Sequence, residues 1–392
     1  MRVLIISSTR ADYGFIKPIF RELEKTPNIF PQLMITGTHL SRKYGKTINE
    51  IMNDSIQITY KSKNYGDFFK GEKSVGLNYI VNFISTFRII RKNKPDLLVL
   101  FGDRFEILAC ASAATILQVP IAHIAGGDLS LGANDNQIRH AITKLSHLHF
   151  PLNDHSNSRI IQMGENPDNV MTIGNSSLEE IHHSKLLSRA ELELKYKKEF
   201  SKKILLITFH PVTLLDDYGL EEFSELLAAL SNLDDSFTQI FTGTNNDPGS
   251  HKIRKMMKQY CRQNQIRTMY VESLGSEDYI SFLRIADACV GNSSSGLYLA
   301  PATNTPTINV GMRQMGRMSA SSITNVSGDR NEIEKAINFI GKKSYDEAMS
   351  STTQPNPSKL FADKLKSIEK IKDLLIKKFH EIPVSETESC RE

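Results

Sequence analysis

The sequence predicts an α/β protein made of two successive Rossmann-like units, each a parallel β-sheet with helices on both faces. Three observations predict it. Short apolar runs of strand length alternate with segments of helical apolar spacing along almost the whole chain, the pattern of parallel strands joined by helical crossovers. The alternation is interrupted once, at residues 188–202, where charge rises and apolar density falls, and then starts again. The 392 residues are enough for two domains of roughly 150 residues each. The expected division is 1–187 for the first unit, 188–365 for the second, and 366–392 for a terminal helix and polar tail.

Taken in order, residues 3–8 are a buried-strand run, and residues 11–25 place Phe15, Ile16, Ile19, Phe20 and Leu23 at helical spacing. The same reading gives strands at 32–36, 96–101, 119–124, 147–151 and 170–173, and helices at 77–91, 105–117 and 136–146. The stretch 188–202 suits an exposed helix and linker. Strands then follow at 204–209, 238–242, 268–272, 288–290 and 307–310, with helical segments between. A long final helix is expected at 359–379, and a frayed polar tail at 385–392.

Composition narrows the function classes. Lys and Arg number 48 against 44 Asp and Glu, a net charge of +4, and the basic residues are scattered, so dedicated nucleic-acid binding has no support. The chain runs from Met1 directly into a strand pattern, and no apolar run reaches the roughly 18 residues that span a bilayer. A cytoplasmic protein without a membrane partner is the expectation. Cys110, Cys261, Cys289 and Cys390 are too widely spaced for a zinc site or a disulfide scaffold; the first three are expected in the core and the last in the tail. His147 and His149 would share a face only in a strand, no metal motif matches, and no metal is expected.

In open α/β sheets ligands bind beyond the carboxyl ends of the strands, so polar residues directly after apolar runs are the first candidates. Arg10 and Asp12 follow the first run, Asp103 and Arg104 the run 96–101, and Asp128 the run 119–124, with Asp135, Arg139 and His140 beyond it. In the second half His210 and the loop Asn292, Ser293, Ser294, Ser295 and Gly296 hold the matching positions. That loop opens onto helical residues 297–300 and could offer N–H groups to a diphosphate, or be a serine N-cap. It lacks the Lys of a Walker loop, and no Gly-x-Gly-x-x-Gly follows the first strand, which argues against NTP hydrolysis and ordinary NAD binding. Asp103 reads as an acid–base group or, taken in isolation, sooner as an Asx turn or helix cap, and Asp135 as a reacting carboxylate or a helix cap. His210 could donate to a phosphate or satisfy a buried carbonyl. Arg10 is harder to explain without an anionic partner, because a guanidinium just after a buried strand needs one.

Five segments in order, Ser-Thr-Arg-Ala-Asp-Tyr-Gly (8–14), Thr-Gly-Thr-His-Leu (36–40), Gly-Asp-Arg-Phe-Glu (102–106), Ile-Arg-His-Ala-Ile-Thr-Lys (138–144) and Gly-Asn-Ser-Ser-Ser-Gly-Leu (291–297), resemble the hydrolysing UDP-N-acetylglucosamine 2-epimerases over nearly the whole chain. The resemblance implies the two-domain GT-B architecture with the site in the interdomain cleft and the nucleotide on the second unit. It implies a UDP-sugar substrate, no cofactor, and a homodimer or homotetramer. The implied reaction expels UDP by anti elimination across C1 and C2 of the sugar, giving a 2-acetamidoglucal. Water then adds with inverted configuration at C2, supplying N-acetylmannosamine or its diacetamido equivalent for sialic-type acid synthesis. Asp103 and Asp135 match the family's catalytic aspartates. Arg10, His39, Arg139, His210, Asn292, Ser293, Ser294, Ser295, Gly296 and Arg313 match positions that hold sugar and diphosphate.

Two positions depart from the family pattern. Many members have His-Ile-Glu-Gly-Gly-Glu with the first Glu catalytic, where this chain has Ala125 and keeps an acid only at Asp128, a candidate replacement. Leu299 stands where a Glu usually binds the ribose hydroxyls, and Met312 and Met315 flank Arg313 where polar residues are usual. Competing readings are a non-hydrolysing 2-epimerase, whose branch resembles Arg-Pro-Glu and Gly-Asp-Thr instead of the Arg-Ala-Asp and Gly-Asp-Arg seen here, a glycosyltransferase of the same fold, and a catalytically weakened nucleotide-sugar-binding protein.

Overall fold

The structure is a computed structural model that describes residues 1–62, 71–183, 186–317, 320–340 and 354–382. The first half runs β1 (Arg2–Ser7), α1 (Arg10–Lys25), β2 (Phe30–Ile35), α2 (Ile48–Asn53), β3 (Ile58–Lys61), α3 (Gly71–Asn93), β4 (Leu97–Phe101), α4 (Phe105–Ile116), β5 (Ile121–Ile124), α5 (Asp135–Leu145), β6 (Leu148–Phe150), α6 (Asp154–Gln162) and α7 (Ser177–His183). The second runs α8 (Arg189–Tyr196), β7 (Lys203–Thr208), α9 (Leu220–Ser231), β8 (Phe237–Thr242), α10 (Ser250–Gln263), β9 (Thr268–Val271), α11 (Gly275–Ile285), β10 (Ala288–Gly291), α12 (Ser295–Tyr298), β11 (Thr307–Val310), β12 (Ile323–Val326), α13 (Arg330–Asn338) and α14 (Pro357–Lys366).

Each half holds one six-stranded sheet, ordered β3-β2-β1-β4-β5-β6 and β12-β11-β10-β7-β8-β9, with every pairing parallel. The two orders are the same topology repeated. A central strand in such a sheet is covered on both faces and reads as an unbroken apolar run. In β1 the period-2 pleat sends Val3 and Ile5 into a core with α1 and α14, and Leu4 and Ile6 into a core with α3 and α4. In β7 Leu205 and Ile207 face one side and Ile204 and Leu206 the other. Cys110, Cys261 and Cys289 are free and buried, while Cys390 lies outside the described residues.

In both sheets the strand order reverses about the first strand of the unit, between β1 and β4 and between β7 and β10, and that is where polar loops gather. Gly102 (φ +76°) and Gly291 (φ +131°) end β4 and β10 in backbone regions that favour glycine; a Cβ on Gly291 would lie 2.0 Å from the Thr208 carbonyl oxygen. α1 starts on a capping box, with Thr9 accepting from the Asp12 N–H and Asp12 accepting from the Thr9 N–H.

Several expectations need correction. Residues 170–173 form no strand: only an isolated bridge, His149 to Val170, extends the sheet there. The final helix stops at Lys366, far short of residue 379. Beyond that break Ile371 and Leu374 pack on the first core. Lys377 then donates to the Lys144 and Ser146 carbonyls, both at 2.6 Å. α14 itself, placed by the sequence division within 188–365, buries Phe361, Ala362 and Leu365 in the core of the first sheet. The edge strands β3 and β12 were not expected. Residues 385–392 lie outside the described residues. No helix among the described residues is long and apolar enough to cross a membrane.

Candidate active site

The loops that follow the strands of both sheets line one cleft, with a cavity volume of about 290 Å³. The first half contributes Arg10, Asp103, Arg104, Asp128, Asp135 and Arg139; the second contributes His210, Ser293, Ser294, Ser295, Arg313 and Arg317. Direct contacts join the halves: Arg10 Nη1 donates to Ser273 Oγ at 2.8 Å, and Arg104 Nη1 to Asp247 Oδ1 at 2.7 Å.

Three aspartates meet there in three different settings. Asp103 accepts from Arg139, whose guanidinium is buried and also donates to the Asp128 carbonyl at 2.8 Å and Ser130 Oγ at 2.9 Å. Arg317 stands 4.0 Å from Asp103 on the other side. Burial opposes the charge of Asp103, but the two guanidinium groups outweigh it and hold the carboxyl below its usual range. Asp135 opens α5, 3.6 Å from Arg313 Nη2. Burial, followed by the negative charges of Asp103 and Asp247, raises it to about 7 despite Arg313 and Arg104. Asp128 accepts from the Tyr298 hydroxyl and lies 3.4 Å from Arg317 Nε. Asp128 thus links the first half to Tyr298 and Arg317 of the second.

Ala125 sits on the wall between these carboxylates with φ +61°, a left-handed conformation that costs an alanine about 1 kcal/mol. Phe15, Phe101 and Leu152 also line the cleft, so apolar surface faces the cavity beside Ala125.

The second half offers donors. His210 Nδ1 accepts from the Asn245 N–H at 3.2 Å, which leaves its Nε2–H free to donate. Burial and then the charges of Arg313, Arg10 and Arg104 push its pKa well below the usual value, so the ring is neutral. Ser295 Oγ bonds the Tyr279 hydroxyl at 2.5 Å and Ser293 Oγ at 2.9 Å, a hydroxyl cluster next to Arg10, whose guanidinium lies 5.9 Å from the Tyr279 ring centre. α12 has only four residues, so the loop acts through hydroxyls and local N–H groups and not through a long helix dipole.

Three candidates fall behind the wall. His39 is fully buried between Ser7 Oγ at 2.8 Å and Thr47 Oγ1 at 2.8 Å, supporting the loop that Asp12 caps. Asn292 is buried and clamps His210 through both backbone groups, accepting from its N–H at 2.7 Å and donating to its carbonyl at 2.8 Å. Gly296 packs on Thr307, with its carbonyl accepting from that hydroxyl. The sequence reading left out Arg317, Tyr298 and Asp247. The argument applied to Arg10, a guanidinium just after a buried strand, reaches Arg313 but stops short of Arg317, seven residues beyond β11; nothing near Asp247 in sequence marks it.

Comparison with known proteins agrees with this geometry. Residues 21–374 match the family model described as UDP-N-acetylglucosamine 2-epimerase. The polysialic acid biosynthesis protein P7 of Escherichia coli is 33% identical over 396 residues, covering 97% of this chain and 98% of the relative. A GDP/UDP-N,N'-diacetylbacillosamine 2-epimerase (hydrolyzing) of Campylobacter jejuni is 33% identical over 88% of both chains. The crystal structure of UDP-GlcNAc 2-epimerase from Neisseria meningitidis bound to UDP-GlcNAc matches with a TM-score of 0.76 at 17% identity, over 94% of this chain and 100% of that one, which supports the GT-B two-domain fold. By the length of the family match and the identity to full-length relatives, the chain belongs to the UDP-N-acetylglucosamine 2-epimerase family.

Proposed function

We propose that this protein is a hydrolysing 2-epimerase that converts UDP-N-acetylglucosamine, or a UDP-diacetamido sugar, to UDP and the free sugar inverted at C2. One observation carries the reading. Two carboxyl groups whose environments drive their proton affinities apart share a cleft with a neutral histidine, with Arg10 and Arg313, and with a hydroxyl cluster suited to a diphosphate. The two relatives described above fit the same reading: one is named as a hydrolysing 2-epimerase and the other for polysialic acid synthesis.

The chemistry assigns the roles. Asp103, ionised, takes the C2 proton; the C2–H electron pair forms the C1–C2 double bond, and the C1–O pair leaves on the β-phosphate oxygen of UDP. Arg10, Arg313 and the Nε2–H of His210 hold that developing anion. Asp135, protonated near neutral pH, gives its proton to C2 on the opposite face while water bonds to C1. The water's second proton restores Asp135, and Asp103 returns its own to solvent, so one water is consumed and one proton released. Asp128, tied to Tyr298 and Arg317, holds the two halves in register.

A proton NMR time course with UDP-N-acetylglucosamine and with the diacetamido analogue tests this. Free mannosamine-type sugar and UDP are expected without added metal or NAD. A UDP-linked product, or a rate abolished by chelator and restored by zinc, refutes it.

Leu299 gives a second expected result. It lines the cleft at the end of α12, where a carboxylate would accept two ribose hydroxyls, each such bond contributing about 1.5 to 3 kcal/mol. Leu299→Glu is therefore expected to tighten UDP at least tenfold in calorimetric titration. Weaker binding, with the wild type still preferring uridine to deoxyuridine nucleotide, would place ribose recognition elsewhere.

A further inference from the structure

Asp247 lies outside the machinery assigned above. It sits in the loop after β8, is 5% exposed, and does not line the cleft. Yet its carboxylate reaches charged groups from both halves. Oδ1 accepts from Arg104 Nη1 at 2.7 Å, and Oδ2 lies 4.0 Å from Arg313 Nη2. The same Arg313 nitrogen stands 3.6 Å from Asp135 Oδ2. A single guanidinium thus lies between an acid of one half and the reacting acid of the other. The Asn245 amide also donates to Asp247 Oδ2, and the Asn245 N–H holds His210, so the loop that places Asp247 also orients the imidazole.

We propose that Asp247 is a positioning residue that keeps Asp135 protonated across the cleft, by engaging Arg104 and sharing Arg313. The inference rests on the assignment of Asp135 as the proton donor. Asp135 is faced by Asp103 and Arg104 from the loop after β4, by Asp247 from the loop after β8, and by Arg313 and Arg317 from the loop after β11. Without Asp247, Arg313 would keep Asp135 as its neighbouring carboxylate, and Asp135 would ionise more readily. With Asp247 present, Arg104 is matched by Asp247 and Glu106, and Arg313 divides its charge between two carboxylates. Because Asp247 belongs to the second half, separating the halves would remove its influence together with that of Arg313. Proton supply at Asp135 is then a property of the closed arrangement.

The charge of Asp247 adds to burial and Asp103 in raising Asp135, against Arg313 and Arg104. Asp247→Asn keeps the shape and removes the charge. Its kcat/KM profile should lose its high-pH limb about one pH unit earlier than wild type, a loss of about tenfold near pH 7.5 and little change near pH 5.5. An equal loss at every pH would mean that Asp247 only supports the loop, and would overturn the proposal.

If the single variant does not fold, the double variant Asp247→Asn with Arg104→Gln is compared with Arg104→Gln alone, so that the loss of Arg104 is common to both. Carbon-13 NMR titration of the Asp135 carboxyl then reads the midpoint directly. A lower midpoint than in Arg104→Gln, or than in wild type where the single variant folds, supports the proposal, and an equal midpoint overturns it. The titration needs no turnover: a shifted midpoint in a protein that does not epimerise would refute the proposed reaction and leave the coupling intact.

Discussion

Asp103→Asn is expected to lose about 100-fold or more in turnover and about 3 kcal/mol of stability together. The first loss follows from removing the ionised base. The second follows from Arg139, which is 1% exposed and has Asp103 as its carboxylate partner. An amide satisfies its hydrogen bond but leaves the buried guanidinium without a counter-charge. The sign of the pH dependence follows from the lowered carboxyl: the wild type holds this stability above the unfolded value of 3.8 and loses it as pH falls through the lower folded value. Urea unfolding at pH 7 and at pH 3 reads it. The gap between wild type and variant should narrow at the lower pH, and a gap independent of pH would contradict the ion-pair account.

Asp135→Asn should behave in the opposite way, with turnover lost by a similar factor and stability gained. Its carboxyl is raised from 3.8 to about 7, so folding favours the protonated form. The resulting cost is absent below pH 4, builds between pH 4 and 7, and is complete above 7. An amide cannot ionise and removes it. The variant should therefore unfold at higher urea than wild type at pH 8, by up to a few kcal/mol, and nearly with it at pH 4. Stability unchanged at pH 8 would show that Asp135 is ionised without penalty in the fold, and the donor role would fall with it. Opposite stability effects from two aspartates of one cleft separate this account from one in which both are merely structural.

The sequence was most legible where local pattern and final environment coincide. β1, β4 and β7 read as unbroken apolar runs because both faces are covered, and the polar residues after them had to lie at a sheet margin. Arg10, Asp103 and His210 were reachable on that ground alone, and Asp135 as part of the longer loop after β5. β3 and β12 were not, because edge strands with exposed Thr59, Thr324 and Asn325 lack the apolar signal of a covered strand. The end of α14 was hidden for another reason: residues 367–379 keep apolar spacing, and only packing against the first core turns the chain aside. His39 shows that a residue in a family-like segment can serve the wall instead of the cavity. Asp247 and Tyr298 were illegible because their meaning depends on contacts across the halves, 143 residues from Arg104 and 170 from Asp128.

Isotope incorporation tests the central claim, that the C2 proton passes to carboxyl groups in exchange with solvent. Wild-type protein turning over UDP-N-acetylglucosamine, or the diacetamido substrate if that is the one used, in deuterated water should release mannosamine-type sugar with deuterium at C2 and UDP in equal amount. Free product that keeps the substrate proton at C2 would contradict elimination and hydration.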